Sequence, residues 1–444
     1  MTPAAGVPWQ GGTWRWIRAP GWGLLVLSLA VQLGLALLLG HARDTRLFMA
    51  AGYLVGSGRS PYTVMDLTGI FHHVGFKSIA VIGYPPPWPL VLGVIYRGAY
   101  GVGHHLLVYN IAIKLPVIAA NLGLAYLVFA LLRNLGVSQG VVRRAWIALL
   151  FNPLLLYVGA AWGQIDAVAT LLALAALVLL ASGRPDLSAA ALAVSICTKP
   201  TAAPILLVVF TYLLGRSLRG AARYAAVFLV AAFVLCIAPF PLLGWSASPL
   251  GKLNAQFMMT GTMSYMTVVR LAKDPLLLPG HWWLLGLLWV PALVAAAVVG
   301  LRHGISDTAD LFRKSAALVL VFFLARTWLA EPNVVLVLAL VLVLASLGEL
   351  DRRFFTAIWV IALVFTVFNA SPLQLLFVEF PRTMVTALDF VGRYSGATLP
   401  ARAALVVAWQ IVGWWAVVLC LRRRPAGATE AAAAAAALRA AGPV

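Results

Sequence analysis

Negative charge is what this sequence has least of: 13 Asp and Glu stand against 32 Lys and Arg, and charged residues of both signs make up 10% of its 444 positions. A soluble domain of this size needs roughly a quarter or more of its surface charged, so so small a supply excludes a soluble protein. Cysteine is nearly missing as well. Cys197, Cys236 and Cys420 all fall inside apolar runs, which leaves no disulfide framework and no cysteine-based metal spacing. No internal repeat is visible, and no stretch has the composition of a separate soluble domain.

What the chain has in quantity is apolar sequence, 63% of its residues. A membrane-spanning helix takes about 17 or more apolar residues. Runs of that length, or a little shorter, occur at 22–40, 104–132, 145–161, 166–182, 187–198, 201–215, 224–243, 282–301, 315–329, 333–348, 354–370 and 401–421. They predict an all-α polytopic membrane protein, a bundle of about 12 transmembrane helices forming one domain over 1–421. The Ala-rich tail at 422–444 reads as cytoplasmic and without fixed structure. The first run follows Arg15 and Arg18, and no small-residue cleavage site precedes its charged exit "HARDTR" (41–46). It therefore reads as a retained span, not a removed signal peptide.

A formal charge of +19 would suggest nucleic acid in a soluble protein. Here the arginines sit in short loops between apolar runs, so no nucleic-acid partner is expected. With a cytoplasmic N-terminus, the inner loops receive Arg133, Arg143 and Arg144, then Arg184, then Arg216, Arg219 and Arg223. Further along they receive Arg302, Arg313 and Lys314, then Arg352 and Arg353, then Arg422 to Arg424. Every short loop on that side is basic, which orients both termini to the cytoplasm of a cell membrane. The segment "YPPPWPLVLGVIYRGAY" (84–100) would invert this order if it crossed. Its prolines give an extended entry and its apolar run is short, so an external or half-inserted helix is expected.

The opposite, extracytoplasmic side then carries long loops at 41–103, 244–281 and 371–400, the first with short juxtamembrane helices. Four turns bring polar groups to this side: "RDTR" (43–46), "WGQID" (162–166), "TKP" (198–200) and "RTWLAEPN" (326–333). Ionisable groups at membrane depth usually line a cavity or a substrate path. Asp44, at the end of the first span, has the position of a general base toward a hydroxyl. The competing reading is a helix-end charge paired with Arg43 or Arg46. Lys199 and Arg326 suit a phosphate at headgroup level, against simple snorkelling to water. Gln164 and Asp166 suit sugar hydroxyls with Trp162 stacked on a ring, against a turn in which Asp166 caps the next helix. Lys114 reads as a snorkelling or structurally paired residue. The pairs His72–His73 and His104–His105 lack a carboxylate at ligand spacing, so no metal site is read there.

The order of these elements resembles the GT-C superfamily of membrane glycosyltransferases. More narrowly, it is similar to family 87, the polyprenol-phosphate-mannose-dependent mannosyltransferases. That family has an Asp with an aromatic four residues on, a G-x-x-x-Y element and then Tyr-Pro-Pro. These are matched here by Asp44, Phe48, Pro61-Tyr62 and Tyr84-Pro85-Pro86. Its later Gly-Gln and Lys-Pro elements resemble Gly163-Gln164 and Lys199-Pro200, while the full "WGQID" is closer to proteins related to the second GPI-anchor mannosyltransferase. The likeness covers residues 41–205; beyond that it is one of topology, and "AEPN" (330–333) stands where those groups carry a histidine pair or an acidic-Arg-Tyr element.

The resemblance implies an inverting transfer of a sugar, mannose in the family, from polyprenyl phosphate to a lipid-linked or envelope glycan. Asp44 would be the base, and Lys199 and Arg326 would hold the donor phosphate. Arg46, Tyr62, Tyr84, Trp162, Gln164, Asp166, Glu331 and Asn333 would face the sugar and acceptor. No cofactor is required, and there is room for a divalent cation. The non-enzyme alternative is a transporter or flippase of lipid-linked sugars, which would share the bundle, the basic loops and the polar cavity.

Overall fold

A computed structural model of the protein describes residues 21–422, except 65, 73–75, 78–81, 247–259, 273–282, 370–371, 376–393 and 395. His73, Arg423, Arg424, the tail at 425–444 and much of the expected outer loops at 244–281 and 371–400 lie outside the described residues. The chain is an all-helical, membrane-embedded protein. The apolar runs are helical over most of their described length, with breaks such as that at 151–152. In order they begin with α1 (Trp22–Leu38), after which α2 (Asp44–Gly56), α3 (Thr68–Phe71) and α4 (Pro87–Ile95) occupy the first long loop. Then come α5 (Leu106–Asn134), α6 (Gln139–Leu150), α7 (Asp166–Ala181), α8 (Pro185–Thr198), α9 (Ile205–Leu214) and α10 (Leu218–Ala232). The last five are α11 (Trp289–Leu301), α12 (Thr308–Leu324), α13 (Val334–Ser346), α14 (Arg352–Asn369) and α15 (Leu399–Leu421).

Among the described residues six helical stretches are long and apolar enough to cross a membrane: Leu106–Asn134, Gln139–Ala161, Leu218–Leu242, Leu284–Leu301, Arg352–Asn369 and Leu399–Leu421. The segment at 84–100 is not one of them. It forms α4, which runs on through a wider turn at Tyr96–Tyr100 and stops where His104 takes a left-handed φ of 54°.

Burial follows composition. In α13 every residue from Val334 to Ala345 is buried, as expected of a helix that is apolar on all sides and so must sit in the centre. The long stretches at 218–242 and 284–301 are also apolar enough to span yet mostly unburied, the pattern of helices facing lipid. A parallel bridge pairs Gly261–Thr262 with Trp328–Leu329, in the turn between α12 and α13.

Polar side chains tie the first helix to the rest. Asn121 Nδ2 donates to Gln32 Oε1 (2.9 Å), Gln32 Nε2 to Ser28 Oγ (3.2 Å), and Ser28 Oγ to the Leu150 carbonyl (2.8 Å). Where α1 ends, its orphan carbonyls are taken from α5. Asn110 Nδ2 donates to Ala36 O (2.9 Å) and Leu39 O (3.0 Å), and the fully buried Lys114 ammonium donates to Leu39 O. A cation at a helix C-terminus also complements the helix dipole. Lys114 is thus a structurally paired residue.

Outside this seam, α2 and α4 share an aromatic cluster with Tyr109 of α5. Phe48 meets Trp88 edge-on at 5.8 Å and Tyr84 at 5.7 Å. The α2 and α4 backbones touch at Gly52, where an added Cβ would stand 2.7 Å from the Leu92 carbonyl and against the Tyr109 hydroxyl. Gly52→Val is expected to force these helices apart at a cost of about 1–3 kcal/mol. A melting curve in detergent would show it as an earlier transition, and an unchanged curve would contradict this packing.

Candidate active site

One end of the bundle gathers side chains from four elements, and local backbone chemistry explains how. The stretch after α6 restarts at Asn152, whose Oδ1 accepts from the Leu154 and Leu155 amides (3.0 and 3.3 Å). It ends in a wide turn at Leu156–Ala161 and then Gly163 at φ 91°. Glycine is required there twice over. The left-handed φ disfavours any side chain, and a Cβ would press on the Lys114 stem at 3.3 Å. This turn aims Trp162 and Gln164 at the start of α2.

Asp44 receives both. Trp162 Nε1 donates to Asp44 Oδ2 at 2.8 Å and Gln164 Nε2 donates to the same oxygen at 2.6 Å. The amide of Asp44 donates to His41 Nδ1 (3.2 Å), and the His41 ring stacks on Trp162 with centroids 4.3 Å apart and planes 8° from parallel. Asp44 is therefore not the arginine-paired helix end of the alternative reading. It keeps 22% of its side-chain surface open, and its Oδ1 takes no hydrogen bond from a described residue. Gln164 is fixed from behind: the Tyr84 hydroxyl donates to its Oε1 (2.9 Å), and the Tyr62 hydroxyl donates to the Tyr84 carbonyl (3.0 Å). Burial, with the nearby Asp166 and Asp44 charges, pushes the Tyr84 phenol well above its usual range, so it stays a donor.

Lys199 and Asp166 form a second, more closed unit. The residue before a proline avoids the α region, and Lys199, before Pro200, is extended at φ −154°, ending α8. Its ammonium donates to Asp166 Oδ2 at 2.7 Å with side-chain exposures of 13% and 3%, and it lies 5.8 Å over the Tyr84 ring. Asp166 opens α7 without capping it; its carboxylate serves Lys199, while its other oxygen, Oδ1, is buried with no partner among the described residues.

The remaining expected residues stand further round the same end. Arg46 donates to the Ala42 carbonyl one turn back. Arg326, half-buried, lies 4.9 Å over the Phe322 ring and makes no ion pair with a described residue. Glu331 is buried and close enough to Asp44 for their charges to interact; it accepts from Asn369, whose Oδ1 accepts from Arg402. Asn333 is buried, with Oδ1 unpartnered among the described residues. No hydrogen bond joins Arg326 or Asn333 to the Asp44 group.

His41, Asn369 and Arg402 were not singled out in the sequence. Arg402, at the very start of the run 401–421, carried the clearest signal, because an arginine bordering apolar sequence away from the other basic clusters needs a partner. No protein-family model matches the chain, and no curated protein matches it.

The near-buried Lys199–Asp166 pair yields a direct test. Lys199→Met leaves a carboxylate uncompensated and is expected to cost about 3–5 kcal/mol of stability, whereas the double change Lys199→Met, Asp166→Leu should recover most of it. Unfolding in mixed micelles measures both, and equal losses in the two variants would show that the ion pair does not hold this corner.

Proposed function

We propose that this chain is an inverting glycosyltransferase of the GT-C type, moving a sugar, mannose, from a polyprenyl-phosphate donor to a lipid-linked or cell-envelope glycan. The reading includes about twelve passes through the cell membrane, cytoplasmic termini and an extracytoplasmic site with 84–100 lying outside. One observation carries it: Asp44 is a partly open carboxylate fixed through Oδ2 by two neutral donors, so it is oriented without being neutralised. A carboxylate held in this way is suited to take a proton through its other oxygen.

The acceptor hydroxyl gives its proton to Asp44 Oδ1 as its oxygen bonds to the anomeric carbon. The bond from that carbon to the phosphate oxygen breaks, its electron pair leaves with polyprenyl phosphate, and the anomeric configuration inverts. Charge then grows on the phosphate, where a fixed cation has its largest effect. Arg326 fits this duty better than Lys199, whose charge Asp166 already offsets. In this reading Trp162, stacked on His41, and the residues Glu331, Asn333 and Arg46 serve the sugar and acceptor, while Tyr62, Tyr84 and Gln164 keep Asp44 in register.

Purified protein given labelled polyprenyl-phosphate mannose and a panel of glycolipid acceptors tests the proposal. Asp44→Asn should cut transfer about 10²–10⁴-fold while leaving donor binding intact, and Arg326→Ala should weaken donor binding. Equal transfer by the native and Asp44→Asn proteins would remove the base. Absence of any transfer, together with movement of labelled lipid across proteoliposomes, would favour a flippase.

A further inference from the structure

The end of the bundle away from Asp44 holds a cleft of about 670 Å³ that the transfer reaction does not use. It lies between α14 and α15, beneath the start of α12. Its walls are apolar, formed by Phe354, Ala357, Val412, Trp415 and Leu419. Trp415 is 60% exposed and meets Phe354 edge-on at 5.7 Å, so the cleft opens on the flank of a helix that faces lipid. Its mouth carries Arg313, Arg353 and Arg422, with Glu349 and Asp351.

The charges at this mouth do not cancel locally. Asp351 Oδ1 accepts from the Arg353 amide (2.8 Å) and so caps the start of α14. Arg313 is held by Asp310 at 2.6 Å and interacts with Glu349, yet its Nε is buried with no partner among the described residues. The guanidinium groups of Arg353 and Arg422 have no hydrogen bond or ion pair from a described residue. Arg352 adjoins the first of them, and Arg423 and Arg424 follow the second in sequence.

A groove with an apolar floor along a lipid-facing helix and spare guanidinium groups at its rim matches an amphiphile with an anionic head. Basic pockets between helices on the cytoplasmic side take anionic lipid headgroups in this way, and arginine binds phosphate through paired N–H donors. We infer that this cleft is a binding site for an anionic phospholipid, with the phosphate between Arg353 and Arg422 and an acyl chain against Trp415 and Val412. A lipid here would tie α14 to α15 at the cytoplasmic surface. The site does not depend on the glycosyltransferase reading.

Full-length protein in nanodiscs containing equal amounts of phosphatidylglycerol and phosphatidylcholine with the same chains tests this. After release into the gas phase, native mass spectrometry counts the lipids retained. Phosphatidylglycerol should be enriched by about tenfold, and the double variant Arg353→Gln, Arg422→Gln should bring the two lipids to within about twofold. Ala357→Trp, which fills the floor without changing charge, should do the same. Both arginines are exposed at the rim, so their loss should leave the fold intact. Equal retention by the native protein, or enrichment that survives the double substitution, overturns the proposal. Displacement of the lipid by excess inorganic phosphate alone would make this a free-anion site and overturn it equally.

Discussion

A single ammonium group, that of Lys114, connects the parts on which the Asp44 end of this protein depends. It is fully buried, and its partners are the carbonyls of Leu39 and Ala36, where α1 runs out of intrahelical donors. Its methylene stem fills the space that a side chain at position 163 would need. One residue therefore ends the helix that leads into His41 and Asp44, and also shapes the turn that delivers Trp162 and Gln164. Such a charge is costly away from water unless it is well bonded. Here the negative end of a helix and two carbonyls compensate it, which makes the position of the α1 terminus a matter of electrostatics as much as packing.

From that anchor follow two carboxylates with different fates. Asp44 meets an indole N–H and an amide, which orient it without cancelling its charge. Asp166 meets Lys199 directly and is almost closed to solvent. Two acids in one small region thus differ because one has neutral partners and stays partly open, while the other has a cation and is closed off. The Tyr62–Tyr84–Gln164 relay extends the same logic outward: each donor is itself held, so the bond angle at Asp44 is set by atoms three residues removed from it.

Much of this could be read in the sequence, and the reasons are physical. Apolar runs bounded by arginine or proline determine helices wherever they occur, so the positions of α5, α7, α8 and α15 differ from the expected ranges by only a few residues at each end. Pro85 to Pro89 marked where the helix at Pro87 begins, but not its length, since it runs on through Tyr100 to Gly103. Asp44, Trp162 and Gln164 were assignable to one end by counting passes, and they do bond to one another. What pattern could not supply is partner choice among polar groups at the same depth. Asp166 suited a helix cap as well as a sugar ligand, and only coordinates show it turned to Lys199. His41 escaped notice because stacking depends on a ring plane, which no spacing encodes. Asn369 and Arg402 lie on separate helices and meet Glu331 only through the packing of α14 and α15.

Acidic residues are scarce in this chain, and their placement is uneven. Of the few carboxylates, Asp44, Asp166 and Glu331 are together at one end, while Asp310, Glu349 and Asp351 sit among arginines at the other. The first group is held largely by neutral donors and one lysine; the second is outnumbered by guanidinium groups. Asp44 and Glu331, which accept from neutral donors, therefore act on the local field more than Asp166, which is locked to a lysine. At the basic end a further acid would be absorbed by spare cations. A chain with more carboxylates spread over both ends would lose this contrast. Asp44 would then no longer stand as a carboxylate held by neutral donors while its neighbour Asp166 is locked to Lys199.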